Sequence, residues 1–129
     1  MKAETISSER FPKAIGPYSQ AVRLGETLYV SGSIPVIPET GKVISEDIQL
    51  QVEQTIRNLS CLLKSANATL SNVVKVTLYV KNLENFSSIN QVYANYFKEP
   101  FPARTCVEVT RLPLDVGIEI DAIAYVPNM

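Results

Sequence analysis

The chain contains no histidine and no tryptophan, and its 129 residues include only two cysteines and five glycines. Without histidine there can be no Ser-His or Cys-His nucleophilic dyad, no His-bearing metal site and no His-based ribonuclease chemistry. The two cysteines, Cys61 and Cys106, lie far apart in sequence, so a Cys-only zinc site is not expected, and no metal is. No glycine-rich loop runs into a lysine, which argues against a nucleotide phosphate cradle, and no cofactor is expected. An excess of charge of one sign is missing too. Twelve Lys/Arg against 13 Asp/Glu leave a net charge of -1, with the two signs interleaved. That gives no electrostatic drive toward nucleic acid or an anionic membrane.

Long apolar runs are also absent; none approaches the ~20 residues of a membrane span. The start, "MKAETISSERFPKA", has no apolar segment of the kind a secretory signal needs, and Glu4 and Glu9 are out of place in a mitochondrial presequence. The expected setting is the cytoplasm, with both thiols reduced. What remains for chemistry is Arg, Glu/Asp, Tyr, Cys, Ser and backbone amides.

What is present is a well-mixed apolar sequence, 46% hydrophobic, without repeats or low complexity. A single domain over residues 1–129 is expected, with disorder confined to about the first ten residues. "QAVRLGETLYVSG" (20–32) reads as a hairpin around Gly25-Glu26, with Val22, Leu24, Leu28 and Val30 as its inward positions. "IPVIPETGKVIS" (34–45) reads as an extended loop with a turn. From Asp47 to about Ala66, the residues Val52, Ile56, Leu59, Leu63 and Ala66 recur at helical steps. Ser45 or Asp47 can cap that helix, and Asn67 can take its left-handed stop position.

"VVKVTLYVK" (73–81) alternates as a strand with Val74, Val76, Leu78 and Val80 on its buried face. A second helix over 83–97 carries a stripe of Phe86, Ile89, Tyr93 and Phe97, read as core. A strand over 103–110 follows, then a last strand over 118–126 whose even positions are all apolar. The order is strand-strand-helix-strand-helix-strand-strand, an α+β arrangement with two helices on one face of a sheet.

In "FPARTCVEV" (101–109), Arg104, Cys106 and Glu108 fall on one side and Ala103, Thr105, Val107 and Val109 on the other. The helices are expected to cover the face bearing Val74, Val107 and Ile120. The other face then carries Arg104, Cys106, Glu108, Glu119, Asp121, Ile123 and Tyr125. A charged face that also holds Cys, Ile and Tyr reads as one buried in an oligomer.

Five segments carry a resemblance: "IGPYSQAV" (15–22), "VSGSIP" (30–35), "VVKVTLYVKNLENF" (73–86), "FPARTCVEVTRLP" (101–113) and "IEIDAIA" (118–124). Together they resemble the RidA/YjgF family of reactive-intermediate deaminases over about residues 6–126. The resemblance implies a chorismate-mutase-like fold and a homotrimer whose sheets face inward as a barrel, with a site at each subunit interface. It implies hydrolysis of enamines and imines such as 2-aminoacrylate to ammonia and a 2-oxo acid, the activity of a 2-iminobutanoate/2-iminopropanoate deaminase. The partners implied are small imine or enamine carboxylates.

The matched motifs carry over Arg104 as carboxylate anchor, Cys106 as pocket lining, and Glu119 as the group that orients or deprotonates water. They carry over Tyr18, Ser31 and Gly32 as pocket contacts, and Asn90 as a polar helix position beside the site. Many relatives have Gln in place of Ser33, a position expected at the pocket rim, Glu in place of Asp121 and Gly in place of Asn67.

These residue types suit the chemistry. The guanidinium fork matches a planar carboxylate in two bonds, and a nearby carboxylate can hold a water and take its proton. Such imines hydrolyse unaided, so positioning can suffice without metal or nucleophile. Against this stands a plain cross-strand ion pair of Arg104 with Glu119, which would hold the Glu119 pKa down. Tyr18 reads equally as a substrate contact or a loop anchor. Two other functions stay open: an RNA-acting translation inhibitor or endoribonuclease, and a non-catalytic ligand-binding or chaperone-like trimer.

Overall fold

The computed structural model describes residues 2–127. Its main sheet has six strands in the order β1-β2-β3-β8-β6-β7. The strands are β1 (Glu4–Ile6), β2 (Ala21–Leu24), β3 (Thr27–Ser33), β6 (Val73–Val80), β7 (Ala103–Glu108) and β8 (Ile118–Tyr125). β4 (Val36–Ile37) and β5 (Lys42–Val43) form a separate small hairpin within the stretch expected to be a loop. Helices α1 (Ile48–Ser65) and α2 (Phe86–Tyr96) pack on each other, and α1 also packs on β8 and β3. Every pairing in the main sheet is antiparallel except β6 with β7, the pair that α2 connects. The fold is thus mixed α+β, as expected. Among the described residues no helix is long and apolar enough to cross a membrane.

The core forms where the apolar stripes of the helices meet the even positions of β8. Ile118, Ile120, Ala122, Ala124 and Val126 are all buried, together with Val52, Ile56, Leu59, Leu63, Val76, Leu78 and Val80. Helix α1 begins at Asp47, whose carboxylate accepts the Leu50 N–H at 3.0 Å, while the Ser45 hydroxyl accepts the Asp47 N–H. It stops at Asn67, which has φ 58°, with the Asn67 N–H bonded to the Lys64 carbonyl and the Ala68 N–H to that of Leu63.

Several expectations are corrected. Residues 4–6 are a strand paired with β2, so the N-terminal stretch is not disordered there. In the hairpin, the two-residue turn pairs Leu24 with Thr27, Val22 with Tyr29 and Ala21 with Val30. Directly paired residues share a face, so Ala21 joins Leu28 and Val30 inside while Val22 and Leu24 face out. A register shift between Val73 and Lys75 puts Val73 in the core and leaves Val74 50% exposed. Ile89 and Tyr93 of α2 and Phe97 just after it are core, but Phe86, on the same stripe at the first residue of the helix, is 39% exposed.

The largest correction concerns β7. Arg104 pairs with Val76 and Cys106 with Leu78, and both partners lie on the face covered by the helices. Val107 pairs with Tyr79, which in turn pairs with Glu119 on the open face. Arg104, Cys106 and Glu108 therefore lie on the helix side, and Ala103, Thr105 and Val107 on the open side. Alternation within an edge strand separates the two sets but does not say which one faces in.

Candidate active site

The residues singled out by sequence fall into two groups within one chain. The first surrounds Arg104. Its Nη1 donates to the side-chain Oδ1 of Asn90 on α2 at 2.8 Å. The guanidinium carbon lies 4.8 Å from the Tyr93 ring centroid and 5.5 Å from that of Phe86. Phe86, Asn90 and Tyr93 stand four and three residues apart, so one stripe of α2 forms a bed for the guanidinium. A cleft opens beside it, lined by Asn90, Tyr93, Ala94, Phe101, Pro102 and Arg104. Cys106, two residues along β7, packs against the core, and burial pushes its thiol pKa up while the nearby Arg104 charge opposes that shift. A raised thiol pKa makes a poor nucleophile at neutral pH, which fits a lining role.

The second group surrounds Glu119. A side chain of any size on Gly32 would run into its carboxylate: a Cβ built there would sit 1.9 Å from Oε2. The Ser31 hydroxyl donates to the Ser19 carbonyl at 2.6 Å and the Ser31 N–H to that of Gln20, which ties the strand to the loop bearing Tyr18. Tyr18 is 51% exposed. On the same strand Ser33 is fully buried, its hydroxyl bonded to the Thr55 carbonyl of α1 at 2.9 Å. It anchors β3 to the helix and does not form a pocket rim. Asn58 of α1 adds bonds from its side-chain amide to the Ile34 and Val36 carbonyls, at 3.1 and 2.8 Å.

Glu119 is paired across strands with Tyr79, whose hydroxyl donates to Asp121 at 2.9 Å. Partial burial, and secondly the Asp121 charge, push the Glu119 pKa above its ordinary 4.5. The cross-strand ion pair with Arg104 is not formed: the two groups lie on opposite faces of the sheet. The lowered pKa expected for Glu119 is accordingly reversed. Sequence reasoning missed Tyr93 and Phe86 as partners of Arg104, although their spacing from Asn90 was the available signal. It placed Asp121 on the same face as Glu119 but missed Tyr79, which lies across from Glu119 and bonds to Asp121.

A family model described as Endoribonuclease L-PSP matches residues 8–126. The chain belongs to the RidA/YjgF family. A RutC family protein of Pyrococcus abyssi is 50% identical over 125 residues, covering 97% of this chain and 98% of the relative. The 2-iminobutanoate/2-iminopropanoate deaminase of Salmonella typhimurium is 46% identical, covering 95% of this chain and 97% of the relative. A crystal structure of a Rid family protein from Yersinia pestis superposes with a TM-score of 0.94 at 42% identity, covering 97% of this chain and 100% of that one.

Proposed function

We propose that this protein hydrolyses small 2-imino acids, and the enamines in equilibrium with them, to 2-oxo acids and ammonia. The observation that carries the reading is Arg104. Its guanidinium is held by Asn90 and two aromatic rings beside an open cleft, with no carboxylate of its own chain paired to it among the described residues. A positioned guanidinium with free donors suits a substrate carboxylate, which it can grip in two bonds.

In the reaction, 2-aminoacrylate first tautomerises to 2-iminopropanoate. Water then adds to the imine carbon as Glu119 takes one of its protons, and the imine nitrogen gains a proton. The resulting carbinolamine expels ammonia as the carbonyl forms. A carboxylate with a raised pKa is a better base for the first step than an ordinary one. Because Arg104 and Glu119 stand on opposite faces of one sheet, each site needs the Arg104 group of one chain and the Glu119 group of another. That arrangement fits a homotrimer with sites at its subunit interfaces. Tyr18, Ser31, Gly32 and Cys106 would shape those sites.

The test is to generate 2-aminoacrylate with a serine dehydratase and follow 2-oxo acid and ammonia release with and without the protein. Faster release that is lost with Arg104→Lys is the expected outcome. No acceleration, together with cleavage of single-stranded RNA that is lost on Arg104→Ala, would overturn the reading in favour of an endoribonuclease.

A further inference from the structure

Tyr93 is only 6% exposed, yet its hydroxyl makes no hydrogen bond. A buried hydroxyl without a partner destabilises a fold, and phenylalanine would fill the same volume free of that penalty. Packing therefore explains the ring but not the oxygen. The ring is fixed on its other side by stacking on Phe97, with centroids 4.4 Å apart. The Arg104 guanidinium carbon lies 4.8 Å from its centroid, and both residues line the same cleft. Arg104 also stands near enough for its charge and its N–H donors to act on the Tyr93 hydroxyl and partly offset the effect of burial on it, although no N–H yet reaches that oxygen in hydrogen-bond geometry.

The donor inventory shows what the oxygen can do. A guanidinium has five N–H donors and no acceptor. Asn90 takes one from Nη1, and a carboxylate gripped in fork fashion takes two more. The Tyr93 oxygen can accept one of those left over, and catalytic contacts that are loose in a ligand-free protein commonly tighten when the ligand binds.

We propose that the Tyr93 hydroxyl accepts a hydrogen bond from the Arg104 guanidinium when a carboxylate is bound, making Tyr93 a positioning residue that fixes the plane of the fork. This rests on the carboxylate-anchor reading of Arg104 given above. Asn90 and Tyr93 then hold the guanidinium from the helix side while its outer edge meets the substrate. The carboxylate is held alike in the ground and transition states, so loosening the fork weakens binding more than turnover.

The experiment compares the parent, Tyr93→Phe and Arg104→Lys for imine hydrolysis, for pyruvate binding by calorimetry and for thermal midpoint. Tyr93→Phe is expected to raise KM for 2-iminopropanoate and Kd for pyruvate together by about tenfold, the weight of one hydrogen bond to a charged group. Its kcat should stay near the parent value and its midpoint should be equal or higher, which a merely structural tyrosine would not give. Unchanged pyruvate affinity in Tyr93→Phe, alongside a loss in Arg104→Lys, overturns the role of Tyr93 and leaves the anchor standing. If Arg104→Lys also matches the parent, the anchor reading falls and the inference falls with it.

Discussion

Glu119 sits where a carboxylate is held at a disadvantage. It is half-buried, it has Asp121 for a neighbour, and its close approach to the chain is possible only because residue 32 has no side chain. Its raised pKa has a consequence for stability, and the sign follows from proton counting. Between the ordinary 4.5 and the higher folded-state value, the native protein binds more protons than the unfolded chain. Stability therefore falls as pH rises through that window. The charge imposes a standing penalty at neutral pH, and it is relieved on acidification below 4.5. Glu119→Gln should raise the thermal midpoint at pH 7, with an advantage that shrinks as the pH is taken down toward 4.5. The same variant should lose imine hydrolysis while keeping affinity for pyruvate. Melting curves across the pH range check the first statement, and a midpoint lower than the parent's at neutral pH would show that the carboxylate is stabilising.

At the scale of elements, local chemistry was readable wherever the sequence itself satisfies the backbone. Asp47 and Asn67 bracket α1 as expected, because an Asx side chain reaches the N-terminal amides and asparagine tolerates φ 58°. Replacing Asp47 by Ala removes the cap bond and should cost about 1 kcal/mol, read as a lower denaturant midpoint with activity per folded molecule unchanged. The strand alternations of β7 and β8 were legible too, and β8 met its expected burial at every even position. What sequence could not supply was the side of the sheet to which each β7 set belongs. That depends on the parallel register with β6, an interaction that α2 closes over more than twenty residues. The misplacement of Val74 has the same origin, since a bulge flips alternation without leaving a mark in composition. For the candidate site, the residue types and the Arg104–Asn90 neighbourhood were legible through the family motifs. The bed of Phe86 and Tyr93 and the raised pKa of Glu119 needed the fold.

At the scale of the whole molecule, the open face of the sheet is too apolar for a lone subunit. Tyr29, Val74, Val107 and Tyr125 are each between 38% and 51% exposed there, beside Glu119 and Asp121. Contact with further copies would bury this face, and a closed ring of three satisfies every copy equally. In such a ring the contacts are head-to-tail, so the β7 edge with Arg104 meets a different part of the next chain. The division of Arg104 and Glu119 between opposite faces then becomes a prediction about mixtures. Arg104→Ala and Glu119→Gln should each be nearly inactive alone. Unfolded together in equal amounts and refolded, they form hybrid rings in which some interfaces join an intact Arg104 to an intact Glu119. Random assembly restores about a quarter of the sites, because each needs one particular variant on either side. The measurement is imine hydrolysis by the refolded mixture, with light scattering to confirm about three times the 14.3 kDa chain mass. A site built within a single chain would leave every hybrid dead, since no chain in the mixture carries both groups.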